Sequence, residues 1–426
     1  MSSVSKIVSV FFYEGYISIQ PSVAHAVKSL IARGYEVDLF YCIPEQSVPP
    51  IHFPPGVRIV ECIPWTRRLV APLVSMLRST WGRYAVQRAN NANNACSDAR
   101  LRAGRRALSW LLDLPVFVQF CRRHRRDSDF ALCFDMTGLF VMHNVMPRDT
   151  PFAYWSLEIR TMSEASDPVT RMLKKLEIRS LPEARAVAIQ GMERAALIER
   201  DVHISEDRYI IIPNGPGARP KPVTHNFFRD KFGIATSTKI VLHAGMISPA
   251  ALSLEIASCV ANWPPDCVLV FHERWNRDHG DPYVQAVQTA GGGRAFLSLD
   301  PVSFEDIDLV YAGANIGLVA YTESDANITL ASISSGKLSY YLQHGLPIIM
   351  VSQKCPAIIE TYECGIWIRD STGIAAALEE ILADYDSYSA RARDVFNKLF
   401  DFEKPFGVLL DKVRVPSSIS SLPPAR

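Results

Sequence analysis

The sequence lacks the features that would mark a membrane-spanning, secreted or zinc-binding protein. No apolar run approaches the roughly 18 residues that a bilayer-spanning helix needs, and residues 1–6 carry no apolar stretch typical of a secretory leader. Its nine cysteines form no CxxC pair, and its ten histidines form no HxxxH pair. We therefore expect buried free thiols in a reducing compartment, no metal site and a cytoplasmic location.

A large net charge is also missing. Lys and Arg together number 45 and Asp and Glu 44, so the formal net charge is +1. A global attraction to nucleic acid is therefore not expected. The exception is local, because residues 65–126 contain thirteen arginines, no lysine and only two acids. Two interpretations of this segment stay open: helices with solvated arginines, or a face that rests on an anionic membrane and makes the protein peripheral on its inner side.

Strand and helix patterns alternate along the chain. The apolar runs Ile7–Phe12 and Tyr35–Tyr41 flank a helical pattern at Pro21–Arg33, which Gly34 ends. Such a strand–helix–strand unit predicts a parallel sheet covered by helices. The same rhythm restarts at Lys239–Gly245. The sequence therefore predicts an α/β protein with two Rossmann-like, doubly wound domains, whose ligands bind at the carboxyl ends of the strands.

The 426 residues are enough for two domains of ordinary size. We predict that they cover residues 1–215, with the Arg-rich helical region 65–126, and residues 216–395. Residues 216–231 hold several prolines and are interpreted as the connection between the domains. The Pro- and Ser-rich residues 414–426 are expected to form a disordered tail.

The most informative segment is 334–351. It predicts a loop of small residues, a helix that begins at Gly336 and Lys337, a stop at Gly345 and a buried strand. Open backbone N–H groups at a helix start, together with the charge of Lys337, favour an anion, most simply a phosphate. A solvent-exposed lysine is the structural alternative for Lys337. For Arg274, after a predicted strand, the alternative is a salt bridge with Glu273.

Acids and histidines follow several of the predicted strands. Asp135 and Glu158 end strands of the first half, where they are expected to face the ligand. Helix capping or simple surface exposure is the alternative for each. His243 and His272 end strands of the second half. A lone histidine there either contacts the ligand or forms structural hydrogen bonds.

The two halves, the Pro213-Asn214-Gly215 turn and the pattern Lys-Leu-x-x-Tyr-Leu-x-x-Gly-x-Pro from Lys337 together resemble GT-B glycosyltransferases. Within that group, the chain looks most like the bacterial retaining enzymes of the group 1, or family 4, kind. The resemblance covers residues 6–410. It implies that the first domain binds the acceptor and the second binds a nucleotide-diphosphate sugar, with no cofactor and no metal requirement. It also implies that residues 396–413 form a helix that crosses back to the first domain.

The resemblance gives each candidate residue a role. Asp135 and Glu158 become the catalytic acids: one is the base if the enzyme inverts, and both orient hydroxyls if it retains. Gly15 and Tyr16 belong to the acceptor-side loop. The implied donor-binding residues are His243, Gly245, Arg274, Asn327, Ser334, Ser335, Gly336 and Lys337.

The chain departs from the pattern at two places. The family often has two glutamates eight positions apart around this segment, and Ser332 and Tyr340 occupy those positions here. The usual ribose-binding carboxylate is therefore missing. The family also often has Arg and Lys after the Gly245 position, and residues 246–250 contain neither. Neutralisation of the diphosphate is then expected to depend on Lys337 and Arg274.

The resemblance favours a glycosyltransferase that moves a sugar from a nucleotide sugar to a glycan or lipid-linked acceptor. The pathway expected for such an enzyme is the synthesis of cell-surface polysaccharide or glycoconjugates. Two alternatives stay open: a nucleotide-sugar epimerase on the same fold, and a catalytically degenerate GT-B protein that only binds.

Overall fold

The structure is a computed structural model that describes residues 6–13, 17, 20–42, 51–64, 110–216, 220–223, 225–322, 334–353 and 355–414. Within these residues, two parallel sheets follow one another along the chain. Helices cover both faces of each sheet, with one hydrophobic cluster against each face. In the same residues, no helix has the length and apolar character needed to cross a bilayer.

The first sheet has seven described strands in the order β3-β2-β1-β4-β5-β6-β7, all parallel. Their bounds are β1 Lys6–Phe12, β2 Tyr35–Cys42, β3 Val57–Cys62, β4 Phe130–Phe134, β5 Phe152–Trp155, β6 Ala186–Ile189 and β7 Tyr209–Ile211. Central strands are apolar on both faces because helices cover both sides. Every residue of β4 and β5 is accordingly buried.

The described helices of the first half are α1 Pro21–Ala32, α2 over residues 110–124, α3 Asp135–Val145, α4 Pro168–Ser180 and α5 Met192–Glu199. Proline fits the first turn of a helix because no hydrogen bond is lost there, and α1 and α4 both begin with one. At α4, the Asp167 side chain also accepts a hydrogen bond from the N–H of Thr170.

The second sheet has six described strands in the order β10-β9-β8-β11-β12-β13, again all parallel. Their bounds are β8 Lys239–Ala244, β9 Cys267–His272, β10 Ala295–Ser298, β11 Ile316–Ala320, β12 Ile348–Val351 and β13 Gly365–Ile368. The described α-helices of the second half and of the segment after it are α6 Phe227–Phe232, α7 Ser253–Cys259, α8 Pro282–Gly291, α9 Ile307–Ala312, α10 Gly336–Gln343, α11 Ala357–Tyr362, α12 Ile374–Ala383, α13 Tyr385–Leu399 and α14 Glu403–Arg414. The predicted α/β class with two doubly wound sheets is confirmed.

The segment interpreted as the interdomain connection also contains the start of a helix. Residues 216–231 end inside α6, which Asn226 caps by accepting from the N–H of Arg229 at 3.1 Å. Phe228 is fully buried in the core of the second half. The connection is therefore shorter than the proline content suggests.

The helix predicted over residues 396–413 is in fact two helices. α13 ends at Leu399 and α14 begins at Glu403. Pro405 explains the break, because proline fits a first turn but would cost a hydrogen bond and clash in a helix interior. The side chains of α14 and the residue before it then join a core cluster of the first sheet: Phe402, Phe406, Leu409, Leu410 and Val413.

Candidate active site

A cleft of about 330 Å³ lies between the two halves of the chain. The second half supplies most of its walls, from the loops that follow β8, β9, β10 and β11 and from the start of α10. The residues contributed by the first half are Gln20, Pro21, Leu157, Glu158, Arg194 and Asn214. A ligand here would contact both sheets at the carboxyl ends of their strands, as expected for open parallel sheets.

The start of α10 forms part of the cleft wall. Ser334, Ser335, Gly336 and Lys337 all line it. Ser335 is the N-cap residue, but its side chain makes no capping hydrogen bond, and its Oγ lies 3.0 Å from the hydroxyl of Tyr321 instead. The first backbone N–H groups of α10 are therefore placed where an anion can accept from them.

Lys337 is held against two neighbours. Its Nζ lies 4.7 Å from the ring centroid of Tyr321. It also lies beside the Gly245 backbone, where an added Cβ would come within 3.3 Å of the lysine Nζ. Gly245 has φ +111°, a conformation that favours glycine. Burial raises the pKa of Tyr321, but the charge of Lys337 and the bond to Ser335 outweigh burial, so the pKa is lowered.

Arg274 lies at the rim of the cleft. It is exposed, and its guanidinium stacks over Trp275 with 5.1 Å to the ring centroid. The neighbouring Glu273 is buried and accepts from the N–H groups of Ile247 and Arg274 at 2.9 and 3.0 Å. The ion-pair partner of Glu273 is Arg277, at 3.8 Å. Burial raises the pKa of Glu273 despite these contacts.

The two strand-end histidines occupy different places. His272 lines the cleft, its Nδ1 is 3.0 Å from Ser298 Oγ, and burial together with the charge of Lys231 lowers its pKa to about 3. His243 is fully buried, outside the cleft wall, with its ring 5.2 Å from that of Phe271. Burial and the charge of Lys337 hold the pKa of His243 well below its usual value. Both imidazoles are therefore neutral.

The two candidate acids also separate. Glu158 lines the cleft and is exposed. Asp135 is 8% exposed and is the first residue of α3, with φ +55°. Its Oδ1 accepts from the N–H groups of Leu157 and Glu158 at 2.7 and 2.9 Å. The structure thus places Asp135 behind the turn that carries Glu158.

Three predicted residues, Gly15, Tyr16 and Asn327, lie outside the described residues, as do residues 65–109 of the Arg-rich region. Within the described residues, no group of three or more His, Cys, Asp or Glu side chains is arranged to hold a metal.

Two residues at the cleft are absent from the predicted set. Arg194 is 3% exposed and donates to Ser334 Oγ at 3.0 Å and to the Leu157 carbonyl at 2.8 Å. Asn214 Nδ2 donates to the Ser334 carbonyl at 3.3 Å. The Pro-Asn-Gly turn pointed to Asn214, whereas nothing local distinguishes Arg194 from the other arginines.

An aromatic pair occupies the place where the resemblance would put a carboxylate. Tyr340 stacks on Tyr311 with ring centroids 4.7 Å apart and planes 7° apart. Both line the cleft and are nearly fully buried. Burial raises the pKa of both phenols, so they are neutral hydrogen-bonding groups.

Solved structures with the same architecture match almost the whole chain. Sucrose-phosphate synthase from Thermosynechococcus elongatus is 14% identical, with a TM-score of 0.59, over 96% of this chain and 98% of that one. Anabaena HepE in complex with UDP-glucose is 13% identical, with a TM-score of 0.60, over 96% and 99%. An E. coli protein described as trehalose-6-phosphate, bound with UDP-2-fluoro glucose, is 10% identical, with a TM-score of 0.62, over 97% and 99%.

The chain has the GT-B fold. No protein-family model matches it, and no curated protein matches it by sequence. The predicted GT-B architecture is confirmed, and the cleft described above is the interdomain cleft of this GT-B protein.

Proposed function

We propose that this GT-B protein is a glycosyltransferase that moves a sugar from a nucleotide-diphosphate sugar to a glycan or lipid-linked acceptor. The observation that carries the proposal is the cleft itself: the start of α10 and Lys337 form one wall, and the exposed acid Glu158 lies on the other. Loss of a diphosphate needs fixed positive charge and N–H donors, which that wall offers. The UDP-glucose bound to Anabaena HepE, on the same fold, supports a nucleotide-sugar donor.

In this proposal, the second-half wall of the cleft binds the donor and the first-half wall contacts the acceptor. Ser334, Ser335, Gly336 and Lys337, with Gly245 and Arg274, bind the donor, and the diphosphate needs no metal. Glu158 is the acid that meets the acceptor hydroxyl. Asp135 acts on Glu158 indirectly, through its hydrogen bonds to the turn at 157–158. Residues 1–215 are proposed as the acceptor domain and residues 216–395 as the donor domain.

Titration calorimetry on the full chain tests the donor assignment. UDP, UDP-glucose and other nucleoside diphosphates are the probes. We expect Lys337→Ala to weaken binding at least about 10-fold, because a hydrogen-bonded charge contributes about 1.5–3 kcal/mol. Lys398→Ala is the matched control, since Lys398 is an exposed lysine paired with Asp394. Equal affinity of Lys337→Ala and the native protein would contradict the proposal.

A GT-B protein that binds without catalysis is the second candidate, and the Tyr311–Tyr340 pair favours it, because it replaces the expected carboxylate. Incubation with UDP-glucose and an acceptor mixture separates the candidates. A transferase releases UDP only as sugar is transferred. Binding without turnover favours the degenerate protein, and conversion of the nucleotide sugar with no acceptor present indicates an epimerase.

We further propose that the pathway is cell-surface polysaccharide or glycoconjugate synthesis, with the cytoplasmic protein peripheral on an anionic membrane. The support is the nine arginines of residues 65–109. Of the other four, Arg122 and Arg125 donate to backbone carbonyls and Arg126 pairs with Glu36 and Asp38. Such binding is electrostatic and should fall steeply with salt. Sedimentation with vesicles of anionic lipid at about 0.05 and 0.5 M salt measures it. Binding that does not respond to salt, or no binding, would contradict this location.

A further inference from the structure

Arg194 is a buried cation in the cleft wall to which the proposed function gives no task. It lies on α5, in the first half, and is 3% exposed. Burial lowers its pKa, although the carboxylates of Glu158 and Asp135 favour the charged form. A guanidinium stays charged in proteins, so Arg194 brings a fixed positive charge to the floor of the cleft.

The guanidinium of Arg194 reaches the segment that leads into α10. Its Nη1 donates to Ser334 Oγ at 3.0 Å, while its Nη2 donates to the Leu157 carbonyl of its own half at 2.8 Å. Asn214, also in the first half, donates to the Ser334 carbonyl. Two first-half side chains thus fix the residue that precedes the N-cap Ser335. The charge of Arg194 therefore lies one hydrogen bond from the proposed anion site.

We propose that Arg194 supplies, from the first half, a further positive charge, beside Lys337 and Arg274 of the second half, that binds the diphosphate held at the start of α10. The inference rests on the proposed function for the identity of the ligand. The loop at 245–250 lines the same cleft without any Lys or Arg, and Arg274 is exposed at the rim. A planar guanidinium suits phosphate oxygens and is more weakly hydrated than a lysine ammonium.

A ligand bound by Arg194 would also influence how the two halves are arranged. If one ligand contacts Arg194 from the first half and Lys337 from the second, its binding favours the arrangement in which the two halves meet at Ser334. A ligand shifts a conformational equilibrium only by its differential affinity for the two states. A cation on the first-half side of the cleft provides that difference.

Calorimetry on the full chain with UDP and with inorganic pyrophosphate tests the charge assignment. We expect Arg194→Met to weaken both probes by about 10- to 100-fold, the range for a lost hydrogen bond to a charged group. Arg194→Lys keeps the charge but loses the planar fork, so it should weaken both probes less than Arg194→Met does. The control is Arg294→Met, because Arg294 donates to the Trp263 and Cys267 carbonyls away from the cleft. It should lower thermal stability and leave both affinities within about twofold.

Each outcome decides a separate point. Affinities of Arg194→Met within about twofold of native would overturn the inference and leave the proposed function standing. Equal losses in Arg194→Met and Arg194→Lys would also overturn it, because they would assign the effect to the bridge and not to the charge. Native protein that binds pyrophosphate but no nucleotide would refute the proposed function alone. Binding of neither probe would refute both. If Arg194→Met does not fold, Arg194→Gln, which keeps an amide donor, replaces it.

Discussion

Tyr321 positions two groups of the proposed donor site at once. Its hydroxyl lies 3.0 Å from Ser335 Oγ, and its ring lies beneath the Lys337 ammonium. Tyr321→Phe keeps the ring and removes the hydroxyl, whose side-chain partners are Ser335 and Lys337, so UDP affinity should fall at least roughly 5-fold, or about 1 kcal/mol. Tyr321→Ala also loses the cation–π contact and should weaken UDP further. Tyr385→Phe, which loses a bond to the Asn315 carbonyl, is the control. Unchanged affinity in both Tyr321 variants would refute this role.

Buried histidines make the stability depend on pH. Burial holds the pKa of His25 at about 4 and that of His272 at about 3, against an ordinary value of 6.5. Below pH 6.5 the unfolded chain binds protons that the native state does not, so stability falls as the pH falls towards the folded values. Between pH 7 and 5 the loss is about 2 kcal/mol for each histidine. Urea unfolding at the two pH values measures it.

His25→Phe isolates one share of this effect. The His25 ring lies 5.5 Å from that of Phe304 and 5.8 Å from that of Phe402, and its Nε2 finds no partner among the described residues. An apolar ring should therefore fit and remove about 2 kcal/mol of the pH dependence. The pKa of Asp38 is also lowered, so protonation of Asp38 changes stability only at pH values below those compared and does not contribute to this difference. Identical pH dependence in variant and native protein would show that His25 is not responsible.

At the scale of elements, the Pro-Asn-Gly turn and α10 pack without a gap. A Cβ on Gly215 would lie 2.2 Å from Ser339 Oγ, which itself donates to the Asn214 carbonyl at 3.0 Å. Gly215→Ala should therefore push α10 away and cost about 1–3 kcal/mol of unfolding free energy. Gly293→Ala is the matched control, because nothing lies within 4 Å of its added Cβ. Equal stabilities of the two variants in urea would contradict this close packing.

The strands were predictable from sequence because most of them are buried on both faces. Runs such as residues 130–134 and 267–271 are apolar throughout, and local composition alone identifies them. Helix ends were harder. The prolines near residue 216 favour an irregular connection, so the Asn226 cap of α6 is not evident from the sequence. The break between α13 and α14 depends on the single residue Pro405. Asp135 reads as a strand end in sequence but is the first residue of a helix.

The residues of the candidate site also include some that the sequence predicts and one that it does not. Lys337, Arg274 and Glu158 follow strands or open a helix, and the carboxyl ends of parallel strands meet at one edge, so their convergence on the cleft follows from topology. Arg194 was not predictable, because its partner Ser334 is 140 residues away, across two sheets. No local pattern encodes how the two halves approach each other.

At the scale of the whole molecule, the part of the chain that the structure describes crosses between the halves twice. It leaves the first sheet after β7 and returns to it with α14, which contacts β5, β6 and β7. The start of α14 is attached by polar contacts. The Glu403 carboxylate accepts hydrogen bonds from the side chains of Arg33 and Ser29, each at 2.8 Å. Beyond Glu403 the contacts of α14 are apolar. The ring centroid of Phe406 lies 5.3 Å from that of Phe402 and 6.0 Å from that of Trp155.

The apolar contacts of α14 should account for most of the free energy that holds it to the first sheet. Phe406 is fully buried, so Phe406→Ala should cost about 3–5 kcal/mol through lost burial and a cavity. Glu403→Gln should cost less than about 1 kcal/mol, because the Arg33 and Glu403 side chains are 35% and 52% exposed and solvent screens the pair. Urea unfolding followed by tryptophan fluorescence measures both, since Trp155 contacts the mutated ring. A loss below about 1 kcal/mol for Phe406→Ala would mean that α14 is dispensable to the first sheet. A loss for Glu403→Gln as large as that for Phe406→Ala would place the attachment in the ion pair.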